Sequence, residues 1–188
     1  MDLVKFLQQL YSNTKFRANS FPWYSEQARW AELVYCLLDR VHPGHEGTVR
    51  SAVTLLQQLN LLNLERLAVI EQPTEEYAVL AYILRQQGFD EEEAERGVEI
   101  LRFTAQVIQR THAGKIQRFL RKHGETMRNE LMDLFSDGEL DNQELDYAIT
   151  LWLQNALFMP ILLEHQSSTT FLKANKLSQE ELIQAIDQ

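Results

Sequence analysis

One cysteine, Cys36, stands in 188 residues. A lone thiol closes no internal disulfide, and it excludes the four-thiolate cage of an iron–sulfur cluster. Cys36 falls in an apolar run with Leu33, Val34, Leu37 and Leu38, where a thiol acts as a small hydrophobe. Proline and glycine are scarce too, at four and seven, few for an all-β protein of this size. Long apolar runs are missing: none reaches the roughly 18 uncharged residues of a membrane span, so no membrane segment is expected. Met1 leads into an amphipathic pattern with Asp2, Lys5, Gln8 and Gln9, so no secretory leader is expected and the cytoplasm is the default setting. Positive charge is in deficit, with 18 Lys and Arg against 27 Asp and Glu, a net of −9. An acidic total repels nucleic acid unless the basic residues gather on one face.

What is abundant is Leu, Gln, Glu and Ala, a helix-forming composition. Leu3, Phe6, Leu7 and Leu10 place one helix in residues 1–12, ahead of a loop ending in Phe21-Pro22-Trp23-Tyr24. Residues 26–40 form a strong helix with Trp30, Leu33, Val34, Leu37 and Leu38 inward. His42-Pro43-Gly44-His45 is a turn, and its two histidines are expected at the surface. Helices follow at 48–59 and 61–70. Asp141 with Glu144 forms a capping-box pattern that opens a nearly uncharged helix from Leu145 to Phe158. That helix is expected to be central, with Trp152 buried. Ser178 and Glu181 cap a last short helix. The expected architecture is all-α, a single helical domain over 1–188. It divides into an N-terminal helix and loop at 1–20, a core at 21–172 and a C-terminal helix at 173–188.

The stretch from Asn60 to Arg102 organises the chain. Tyr77, Leu80, Ala81 and Leu84 form one helical stripe, and Gly88 stands where that helix should end in a left-handed glycine. Asp90, with Glu93 three residues on, starts the next helix, which carries Ala94, Val98, Leu101 and Ala105 on one face. The plain reading is two packed core helices. The sharper one is that Ile83-Leu84-Arg85-Gln86-Gln87-Gly88-Phe89, followed by Ala94-Glu95-Arg96, resembles the helix-hairpin-helix DNA glycosylases, the endonuclease III relatives (HhH-GPD). There one helix ends in I-R-x-x-G-F-Y and the next begins x-x-K-A. The resemblance spans roughly Phe21 to Leu172 and implies a helical bundle or barrel of that fold, in a protein related to base-excision DNA repair.

The same resemblance implies where catalysis would sit. The family's hairpin reads L-P-G-V-G-x-K-T-A, with an aspartate about sixteen residues beyond the alanine. The glycines let backbone N–H groups reach a DNA phosphate. The lysine is a Schiff-base nucleophile and the aspartate supports charge at the sugar. With Ala148 at the alanine, Glu164 takes the aspartate position, His165 follows, and the hairpin falls on Asp141–Tyr147. Neither glycine is present, Asp146 holds the lysine position, Glu93 replaces the lysine before Ala94, and Arg40 stands where the family tends to place a glutamine. Lyase chemistry needs an amine, and position 146 supplies none. Glu164 and His165 are thus the candidate catalytic pair, set against a plain polar loop after a buried helix. The expectation is a DNA or modified-base binder with catalysis reduced or lost; if active, a monofunctional N-glycosylase.

Residues 108–128 carry Arg110, Lys115, Arg118, Arg121, Lys122 and Arg128 against Glu125 alone. Lys115, Arg118 and Lys122 recur at helical spacing, so Arg110, Lys115, Arg118, Arg121 and Lys122 are the candidate DNA contacts. The alternative is a solvated face paired with the acidic run at 129–147. A non-catalytic scaffold that binds a protein partner through its acidic face is the competing function. Asp133 to Glu144 has a partial calcium-loop pattern, but Phe135 occupies a ligand position. No metal site and no cofactor is expected.

Overall fold

The computed structural model describes residues 25–116 and 124–157. Seven α-helices and no strand occur among them. They are α1 (Glu26–Val41), α2 (Glu46–Gln58), α3 (Leu64–Leu67), α4 (Glu75–Gln86), α5 (Glu91–His112), α6 (Gly124–Phe135) and α7 (Asn142–Leu157). The described fold is all-α. The expected segments at 1–20 and 173–188 lie outside the described residues.

Short polar side chains start the helices. Ser25, Asn63, Thr74 and Asp90 each accept a backbone N–H at the head of α1, α3, α4 and α5. Each such cap is worth about 1 kcal/mol. At α5 the box is complete: Glu93 N–H donates to Asp90, and Asp90 N–H donates back to the Glu93 carboxylate. Gly88, at φ +100°, ends the α4 segment, and Phe89 N–H returns to the Leu84 carbonyl. Phe89 then turns inward and is buried. A side chain at Gly88 would be strained by that φ.

α1 is the centre of the core. It packs against α7, α2 and α5 at once. All of its residues from Trp30 to Asp39 are buried. A helix covered on every side must bury polar groups as well, and Glu32 and Asp39 are 2 % and 4 % exposed. α4 packs on α5 and α2, α3 on α5, and α6 on α7 and α5. Gly97 on α5 lets Leu84 and Leu38 close in: a Cβ there would lie 3.0 and 3.1 Å from their methyl carbons. α7 lies against α1, and Trp152 is fully buried, its indole N–H donating to the Arg29 carbonyl at 3.0 Å.

Two expectations are corrected. The helix expected over 61–70 is the single turn α3, because Asn63 caps it and the chain turns again at 68–70. His42 is not a surface residue. It is 9 % exposed, stacked between His45 (4.2 Å) and Phe89 (4.7 Å), with Nδ1 2.9 Å from Glu93. The Glu93 carboxylate thus serves both the α5 cap and the end of α1. His45 is exposed, as expected.

Candidate functional site

Glu164, His165, Arg118, Arg121 and Lys122 lie outside the described residues. Arg110 is exposed in the last turn of α5. Lys115 is exposed beyond it. Ala113 (φ 49°) and Gly114 (φ 71°) are both left-handed and stop the helix, so Lys115 stands in a turn and not on a helical face. The spacing that joins Lys115 to Arg118 and Lys122 runs onto residues outside the described ones. Arg128, the last cation of the basic stretch, is engaged: its guanidinium binds Asp146 at 2.5 and 2.8 Å and reaches the Thr150 hydroxyl at 3.2 Å.

The α6–α7 connection is where the resemblance would place the hairpin. Residues 142–147, where the resemblance places most of it, are helical turns of α7, and the inter-helix loop is 136–141. Asp141 caps the helix, one carboxylate oxygen accepting the N–H groups of Gln143 and Glu144, both at 2.8 Å. Glu144 returns to the Asp141 N–H at 3.1 Å and binds Arg96 at 2.5 Å. Arg96 also donates to the Glu139 carbonyl at 3.0 Å. The donors that would meet a phosphate are therefore occupied by an internal carboxylate. Gly138, the one glycine of the loop, serves packing: a Cβ there would lie 2.9 Å from the Phe103 ring and 3.2 Å from the Phe135 carbonyl oxygen. The partial calcium pattern is used up in the same way. Phe135 is core, and Asp141 and Glu144 are capping groups. No three His, Cys, Asp or Glu residues form a potential metal site among the described residues.

A second cluster forms where α1, α2 and α7 meet. The Arg40 guanidinium lies 3.8 Å over the Tyr147 ring and pairs with Asp39. The Arg50 guanidinium lies 4.0 Å over the Tyr35 ring. Such cation–aromatic stacks hold a planar cation in a fixed orientation. Asp39 Oδ1 and Arg40 Nε are buried without a hydrogen-bond partner. Burial, then the charge of Asp39, pushes the Tyr35 phenol up to about 12, against the pull of Arg50. Burial likewise raises Tyr147, with Arg40 opposing, and raises the Cys36 thiol, with Glu32 adding to it. At neutral pH the two phenols and the thiol are uncharged. The cluster can bind and orient a group, but it presents no lysine and no thiolate for covalent chemistry.

The raised phenol has a consequence for stability. Tyr35 is held neutral in the fold at a pH where a solvated tyrosine, near 10, already ionises. Its contribution is complete below pH 10 and is lost as pH rises through 10 toward about 12. Alkaline difference absorbance should show a late-titrating tyrosine, with melting temperature falling over that window. Burial raises Tyr77 and Tyr147 as well, so replacing Tyr35 with Phe should reduce the amplitude of the late step by one tyrosine and not abolish it.

Sequence reasoning missed this cluster, because Tyr35 and Asp39 fall outside the apolar stripe of α1. Among the described residues no helix is long and apolar enough to cross a membrane. A scan against protein-family models, a search of curated proteins and a search of solved structures find no match to this chain.

Proposed function

We propose that the chain is a diverged relative of the helix-hairpin-helix DNA glycosylases in which sugar–base chemistry is reduced or lost. The Arg40–Tyr147 contact carries the reading. The resemblance places Arg40 at a characteristic glutamine and Tyr147 beside the nucleophile position, and these two positions, far apart in sequence, touch at 3.8 Å. The Gly88–Phe89 junction, with Phe89 buried, and the α6–loop–α7 pair are consistent with it. The loss of chemistry rests on Asp146. A carboxylate stands where an amine is needed, and Arg128 and Thr150 hold it. Incubation with abasic-site DNA and borohydride should trap no covalent complex. A trapped complex would overturn the alignment.

The occupied N–H groups at Asp141 favour binding of a protein over binding of DNA at the α7 end. Exposed acids flank that connection on both sides. Glu91, Glu92 and Glu95 lie on α5, and Asp137, Glu139 and Asp141 in the loop, with Arg96 drawing the two together. This is the acidic face that a partner of opposite charge would meet. The DNA reading keeps one candidate contact, Arg110, Lys115, Arg118, Arg121 and Lys122. A duplex titration with a salt series separates the two. If five phosphates are contacted, each doubling of salt lowers affinity about twentyfold, and Glu at 115, 118 and 122 abolishes binding. No binding at low salt supports the protein-partner reading. Binding that survives the triple substitution removes the basic stretch from the interface.

A further inference from the structure

We draw no further inference here: the strongest candidate, an open polar groove of about 610 Å³ along α2 lined by Glu46, Arg50, Ser51, Thr54, Gln58 and Gln87, has α2 as its one extended wall among the described residues, and nothing in the structure shows what would fill it.

Discussion

Replacing Trp152 with Ala is expected to destabilise the fold by about 3–5 kcal/mol, the range for removing a large aromatic from a sealed core. The indole is fully buried on α7, the helix that covers α1. Two losses combine. The ring leaves a cavity between helices too well connected to collapse into it, and the Arg29 carbonyl loses its indole donor at 3.0 Å. Trp152→Phe should cost less, since it keeps most of the ring and loses mainly the N–H. Urea unfolding followed by circular dichroism gives the difference, with the midpoint falling and the slope unchanged. A loss under about 1 kcal/mol for the alanine variant would mean that the α1–α7 contact is not the centre of the core.

Arg40→Gln introduces the residue that the resemblance expects, and it should nonetheless destabilise the protein by about 3 kcal/mol. Asp39 is 4 % exposed, and its Oδ1 already lacks a partner. Removing the guanidinium leaves a buried carboxylate without its ion pair, a change that costs about 3–5 kcal/mol in sealed sites. The lower end applies because the Arg40 side chain is 20 % exposed. Tyr147 also loses its stacked cation. The double variant Asp39→Asn, Arg40→Gln should recover most of the loss, since the buried charge is gone. Chemical denaturation of the two single variants and the double variant closes the cycle. A single Arg40→Gln variant no less stable than the double one would show that Asp39 does not depend on Arg40.

Local grammar was the legible part of the sequence. Asp90 with Glu93, and Asp141 with Glu144, announce their helices through a spacing of three that needs no tertiary knowledge. Gly88 marked its junction for the same reason, since a left-handed φ has one ready occupant. Trp152 was legible because a long uncharged helix has no exposed face to offer. What stayed hidden depends on partners distant in sequence. Glu32 and Asp39 read as the polar side of an amphipathic α1, yet α7, α2 and α5 cover every side of it. His42 read as a turn residue, because Glu93, the carboxylate that lets it be buried, lies 51 positions away. The DNA-binding and catalytic candidates beyond Arg110 and Lys115 fall outside the described residues, so the structure places neither group.

The junction of α1 with α7 also bears on how the fold is reached. The Trp152–Arg29 hydrogen bond joins residues 123 positions apart. Closing a loop of that length carries an entropic penalty before any contact returns it. Most helical bundles avoid this by pairing neighbours, and they fold quickly as a result. Here the first described helix has no complete burial until the last described helix arrives. A growing chain on the ribosome would hold α1 half-covered by α2 and α5 until residues 142–157 emerge. Among the described helices, the docking of α7 on α1 is the step that completes the burial of α1.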